Sequence, residues 1–253
     1  MRFSANLGFL WADRPLPDAI RAAKAAGFDA VECHWPYAHD PHEVKAVLDE
    51  TGLEMLGLNT SRGDVAAGEN GLTALTNREA EARAAIDQAL DYARIIGAGA
   101  VHVMAGFASG ESAHKTFIAN LRYATTQATE QGITILIEPL NHYDAKGYFL
   151  ATTAQAVDII EEVKAPNLRL MFDCYHVQLM EGDLTNRLSR LLPVIGHIQF
   201  ASVPDRGTPD HGEVNYGHIF SHIDSLGWAH AIGAEYKPKL DTDLTLDWMA
   251  QYR

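Results

Sequence analysis

Four apolar runs in this sequence finish on oxygen-bearing side chains. ITILIE (133–138) ends in Glu138, LRLMFD (168–173) in Asp173, IGHIQF (195–200) carries Gln199 one place before its end, and AIGAEY (231–236) carries Glu235. A buried carboxylate is expensive unless something pairs with it. Side chains alternate between the two faces of a strand. Glu138 therefore shares a face with Thr134 and Leu136, Gln199 with Ile195 and His197, and Glu235 with Ala231 and Gly233. If these faces turn inward, three carboxylates and one amide oxygen meet in one place. Like charges so close would push the carboxyl pKa values up until some protonated. A divalent cation removes that conflict, and ligation by oxygen alone suits Mg²⁺ or Mn²⁺ better than zinc. For any one of these residues the plainer alternative is a rim carboxylate paired with Lys or Arg. Four such ends on consecutive strands argue against that explanation for the set.

The elements that must position these groups alternate along the chain. Strand candidates are RFSAN (2–6), FDAVECH (28–34), LEMLGLN (53–59), GAVHVM (99–104) and the four runs already named. Between them lie amphipathic segments such as LPDAIRAAKAAG, HEVKAVLDETG, REAEARAAIDQALDYARIIG, AHKTFIANLRYATTQATEQG, TAQAVDIIEEV, NRLSRLLPVIG and YGHIFSHIDSLG, several ending in the glycine expected just past a helix. Eight strand–helix units predict an α/β fold, a (β/α)₈ TIM barrel, formed as one domain over residues 1–253. An open doubly wound sheet is the alternative, but no glycine-rich phosphate loop follows the first strand. In a barrel, active-site residues sit at the carboxyl ends of strands. Here those ends also include Asn6, Glu32 to His34, Asn59 and His102 to Met104.

Composition limits the partners. The formal charge is −13, which disfavours nucleic acid, since such binders need a basic footprint. A local cluster of cations can still hold a small anion. Cys33 and Cys174 lie far apart without metal-site spacing, so a reducing cytoplasm is the expected location. No secretory leader and no membrane-spanning run is visible, so no membrane partner is expected.

The segments IEPLNHYD, MFDCYHVQLMEGDLTN, HIQFASVPDRGTPDHGEVNY and GAEYKP, with the opening RFSANLGFLW, resemble the hydroxypyruvate isomerase family over nearly the whole chain. That family belongs to the xylose-isomerase-like barrels, with sugar epimerases and apurinic endonucleases as distant relatives. The resemblance implies that Glu138, Asp173, Gln199 and Glu235 ligate a divalent metal, Mg²⁺ or Mn²⁺. It implies that Glu138 and Glu235 are also the catalytic acid/base pair. His176 would contact a substrate oxygen, Arg206 would hold the substrate at its carboxylate, and Lys237 would offset its charge. The implied reaction interconverts hydroxypyruvate and tartronate semialdehyde through an enediolate, a step of carbohydrate and glyoxylate metabolism. The implied partner is therefore a small anionic 2-oxo acid, and association of like chains is carried over from relatives. Alternatives are a 2-oxo-tetronate isomerase, with the same chemistry on four carbons, and a ketose 3-epimerase. Gln199, where many epimerases place a histidine, counts against the epimerase and against a trinuclear-zinc endonuclease.

Other polar residues have plainer roles. His34 and His102 are expected to be hydrogen-bonded core or rim residues outside the metal set, Cys174 a small buried apolar residue, and Glu213 a helix-start carboxylate. Residues 60–77 form a long loop that is expected to act as a lid or to pack on a second subunit, with Asp64 or Glu69 helping to close it.

Overall fold

Residues 1–252 are described by a computed structural model, and Arg253, the last residue of the expected domain, lies outside the described residues. The strands are β1 (Phe3–Asn6), β2 (Ala30–Glu32), β3 (Glu54–Met55), β4 (Gly57–Asn59), β5 (Ala100–His102), β6 (Thr134–Ile137), β7 (Leu168–Asp173), β8 (Ile195–Phe200) and β9 (Ile232–Ala234). They pair in parallel in the order β3-β2-β1-β9-β8-β7-β6-β5-β4. β3 and β4 are two halves of one stave, interrupted at Leu56. Leu56 N donates to Val31 O at 2.8 Å and Asn59 N to His34 O at 2.8 Å, so this stave bonds to β2 on one side. Its other side pairs with β5, which closes the sheet. The result is the expected barrel of eight staves.

The helices around it are α1 (Leu16–Ala25), α2 (Pro41–Thr51), α3 (Glu79–Ile96), α4 (Gly110–Thr129), α5 (Thr153–Val163), α6 (Cys174–Met180), α7 (Leu184–Leu191), α8 (Tyr216–Ser225) and α9 (Met249–Tyr252). Local signals explain their limits. Asp40 accepts a hydrogen bond from His42 N at the start of α2, with Pro41 in the first turn. Gly52 and Gly97 close α2 and α3 with φ of 65° and 75°, a conformation that costs glycine nothing. No described helix is long and apolar enough to cross a membrane.

The core has two layers. Ile133, Ile135 and Ile137 face outward into the large apolar layer between sheet and helices. Ala100, Leu136 and Met171 form a separate small cluster inside the barrel. The alternation expected for β6 therefore holds. In β8 it does not hold throughout. Leu170 pairs with Ile195 and Met171 with His197, so Gly196 is an extra residue at a bulge. Ile195 consequently joins the outer layer, while His197 and Gln199 turn inward.

Gly233 shows how crowded the barrel is under the mouth. A Cβ there would lie 2.6 Å from both Glu32 carboxylate oxygens and 2.9 Å from Gln199 Cγ. Gly233→Ala is expected to destabilise the fold by about 1–3 kcal/mol through overpacking. Thermal denaturation of the purified variant checks this.

Candidate active site

Each sequence-predicted oxygen sits where a strand ends. Glu138 follows β6 directly, Asp173 closes β7, Gln199 lies beside Asp173 in the β7–β8 register, and Glu235 follows β9. All four side chains are buried. Ligand atoms of Glu138, Asp173, His176 and Glu235 lie within 4.8 Å of one another, so this buried cluster can hold a metal ion. Among the described residues it is the one such group of His, Cys, Asp and Glu. Glu138 Oε1, Asp173 Oδ2 and Gln199 Oε1 are buried and accept no hydrogen bond. Buried acceptors normally find donors. Three lone-pair-bearing oxygens left open at the ends of neighbouring strands fit a cation, because a cation supplies what no protein donor does here.

The third member of the cluster, His176, comes from a helix that strand and helix periodicity did not reveal. α6 begins at once after β7, and Asp173 Oδ1 caps it by accepting from Tyr175 N at 2.9 Å. Its seven residues, CYHVQLM, are too few for an amphipathic pattern. This turn places His176 above Asp173. Asn141 N donates to His176 Nδ1 at 2.9 Å, so the neutral ring carries its proton on Nε2. Nε2 lies 3.6 Å from Asp173 Oδ2 and 3.9 Å from Glu138 Oε1. In this tautomer His176 offers a donor to a bound molecule rather than a lone pair to a metal. Burial, reinforced by the Arg206 charge, takes its pKa down to about 3, so it stays neutral.

Arg206 reaches the same place from the loop after β8. Its guanidinium bonds Glu235 Oε2 and lies 3.7 Å from Asp173 Oδ2 and 3.6 Å from Asp144 Oδ2. It stacks 4.8 Å from the centres of both Phe9 and Tyr175. Arg206 also holds φ of 53°, a conformation uncommon outside glycine, and such outliers gather at functional sites. Lys237 stays on the rim. It is exposed, with its ammonium 5.5 Å over Phe9.

These charges drive the two glutamates apart. Burial, then the charges of Glu235 and Asp173, raises Glu138 well above the usual carboxylate range. Burial would raise Glu235 too, but Arg206 and the His34 hydrogen bond outweigh it and hold Glu235 below the usual range. Burial and the Glu235 charge push Asp173 up to about 7. Protons and cations therefore compete for Asp173 below pH 7, where the carboxyl holds its proton. Affinity for a divalent cation is expected to fall about tenfold or more per pH unit below that point, because Glu138, also raised, competes for a proton there too. Electron paramagnetic resonance of free Mn²⁺ at pH 6 and pH 8 checks this.

Three residues that the sequence analysis placed at strand ends, without a role in the chemistry, surround the two glutamates. His34, set aside as a core or rim residue, donates from Nε2 to Glu235 Oε1 at 2.9 Å. Gly8 makes this possible, since a Cβ there would fall 2.0 Å from the His34 ring. His102 Nδ1 lies 3.5 Å from Glu138 Oε2, and burial takes its pKa down to about 4. Asn6 Nδ2 donates to both Glu32 Oε1 and Glu235 Oε1, at 3.0 Å each. The long loop after β4 differs from expectation in its carboxylates. Asp64 accepts from Ala66 N and Ala67 N, while Glu69 accepts from Asp64 N and pairs with Arg78. Both tie the loop to itself instead of reaching the site. Glu213, expected at a helix start, lies before the α8 cap Asn215 and accepts from Gln178 at 3.3 Å instead, while Cys174 is buried in the apolar layer as expected.

Above the cluster opens a cavity of about 170 Å³ lined by Phe9, Trp35, Met104, Glu138, His176 and Arg206 among others. That is small beside the roughly 300–1,000 Å³ of pockets for drug-sized ligands. A closed parallel barrel with a buried carboxylate cluster at its carboxyl mouth defines a class, and the comparison with known proteins agrees. The chain belongs to the family described as the xylose isomerase-like TIM barrel, which it matches over residues 20–252. It is 44% identical to the 2-oxo-tetronate isomerase of Cupriavidus necator, over 99% of this chain and 98% of that one. It is 40% identical to the hydroxypyruvate isomerase of Escherichia coli, over 100% of each. A crystal structure from Brucella melitensis, described as an AP endonuclease of family 2, matches it with a TM-score of 0.96 and 39% identity, covering 100% of this chain and 99% of that one.

Proposed function

We propose that this chain is a metal-dependent isomerase that interconverts hydroxypyruvate and tartronate semialdehyde. The observation that carries this reading is the trio of buried, donor-free oxygens on Glu138, Asp173 and Gln199 at the barrel mouth. With Glu235 they make an all-oxygen donor set suited to Mg²⁺ or Mn²⁺. When bound, such an ion supplies Lewis-acid stabilisation of the charge that builds on the two reacting substrate oxygens.

The chain's own groups do the rest. The reaction removes a proton from C3 of the ketone and delivers one to C2, while the hydroxyl proton passes from O3 to O2. Glu235, kept ionised by Arg206 and His34, is the group suited to take the carbon-bound proton. Glu138, whose carboxyl is raised above the usual range by burial and its acidic neighbours, is suited to give one. In the reverse direction they exchange roles. His176 donates from Nε2 to a substrate oxygen. Arg206 and Lys237 offset the charge of the small 2-oxo acid, Arg206 from inside the cavity and Lys237 from the rim. Phe9 and Trp35 keep water from the reacting carbons.

The four-carbon 2-oxo-tetronate is the second reading, favoured by the 44% identity to an isomerase of that name. Both acids place a carboxylate beside a carbonyl and differ by one hydroxymethylene unit. Cleavage of nucleic acid is disfavoured by the net charge of −13. The test is proton NMR of each acid with metal-stripped protein, before and after adding Mg²⁺ or Mn²⁺. Metal-dependent formation of tartronate semialdehyde is expected. Turnover of the four-carbon acid alone would move the second reading to first place, and no turnover of either would end both.

A further inference from the structure

We propose that Glu32, buried beneath the mouth at the end of β2, is a positioning residue that turns the Gln199 amide oxygen toward the cation and ties that ligand to Glu235 through Asn6. This rests on the cation site proposed for Glu138, Asp173, Gln199 and Glu235. Glu32 is 4% exposed. Its Oε1 accepts from Gln199 Nε2 at 2.7 Å and from Asn6 Nδ2 at 3.0 Å, and its Oε2 accepts from His197 Nε2 at 2.7 Å.

The chemistry of the pair decides which end of the amide goes where. A side-chain amide has one donor end and one acceptor end of almost equal size, and its own shape does not choose between them. A carboxylate offers acceptors only. Glu32 thus binds the nitrogen end of Gln199, and the oxygen end is left facing away from it. That oxygen is buried and accepts no hydrogen bond, as a metal ligand in waiting should. The same logic reaches a second ligand. Asn6 Nδ2 bridges Glu32 Oε1 and Glu235 Oε1, while Asn6 Oδ1 accepts from Gly8 N at 2.9 Å. One carboxylate therefore sets the orientation of an amide on β8 and, through an amide on β1, the place of a carboxylate after β9.

Glu32 is not itself a ligand in this arrangement, because it lies outside the group whose ligand atoms converge, Glu138, Asp173, His176 and Glu235. Nor is its place an accident of packing. β9 carries glycine at position 233, where any Cβ would strike both Glu32 oxygens at 2.6 Å. The bulge at Gly196 brings His197 to the inner face, where it meets Glu32 Oε2. Partners of this kind, one shell out from a metal, typically change its affinity 10–100-fold.

The test is the Mn²⁺ dissociation constant, read from the resonance of free Mn²⁺, for the unaltered protein and for Glu32→Gln, Gln199→Ala and the double variant. A glutamine at 32 can donate as well as accept, so it no longer dictates which end of Gln199 it holds. Glu32→Gln is expected to weaken Mn²⁺ binding by about tenfold or more. In the Gln199→Ala background the same change should have a several-fold smaller effect, because the amide it orients is gone. Equal factors in the two backgrounds, or unchanged affinity in Glu32→Gln, would overturn the inference. If Glu32→Gln does not fold, Glu32→Asp keeps the acceptor but shortens its reach by one methylene. It should then show the weakened binding, and full affinity in that variant would overturn the inference too. Absence of Mn²⁺ binding by the unaltered protein would instead remove the cation site itself.

Discussion

Glu235→Gln is expected to lower kcat on a 2-oxo acid by about three orders of magnitude, within the range that a positioned acid or base supplies. The substitution keeps the shape and replaces an acceptor-only group with an amide. It removes the carboxylate that Arg206 and His34 hold ionised. Glu138→Gln should lower product formation comparably, but the two variants should differ in exchange. With Glu235 intact, the Glu138 variant can still take the C3 proton of hydroxypyruvate, so deuterium from the solvent should enter that position while little product forms. In the Glu235 variant both processes should stop. Proton NMR in deuterium oxide separates them, and Mn²⁺ affinity measured alongside shows how much of each loss is metal. Equal washout by the two variants would contradict the assignment of base and acid to these residues.

Arg206→Met should cost about two orders of magnitude in kcat/KM, the scale of losing one partner of a buried charge pair. Two effects add. The substrate loses a cation inside the cavity. Glu235 also loses the largest of the effects that together outweigh its burial, so its pKa climbs. The sign follows: Glu235 acts as base only when ionised, so its pKa sets an acid limb. With metal kept saturating, the depressed pKa puts that limb below the neutral range in the unaltered protein. In the variant it should move to higher pH, and activity should recover partly as the pH rises. Arg206→Lys keeps the charge but not the flat stacking between Phe9 and Tyr175, so it should fall between the two. A kcat/KM–pH profile checks all three proteins. An acid limb that stays in place would show that Arg206 does not hold Glu235 ionised.

Much of the fold was legible because strand parity and helix punctuation are local. The alternation Thr134, Leu136, Glu138 against Ile133, Ile135, Ile137 is visible in six letters, and the structure divides them between the barrel interior and the helix layer as expected. The same rule failed at Ile195, because the bulge at Gly196 is created by pairing with β7 and leaves no mark of its own in the run IGHIQF. α6 was hidden for a related reason. Asp173 ends a strand and caps a helix at the same time, with no loop between to announce the change.

The sequence by itself determined the alternation of strands and helices, and the oxygen-bearing residues that stand at the strand ends. These depend on neighbours one to four places away, which any reader of the chain can see. Only the tertiary structure decided what those residues meet. Glu235 finds Asn6 across 229 positions and His34 across 201, and Glu32 finds His197 across 165. Closure of the barrel makes those contacts. It also decides that the Glu235 carboxyl lies below the usual range while that of Glu138 lies well above it, since a carboxyl pKa depends on the burial and charges around it in space.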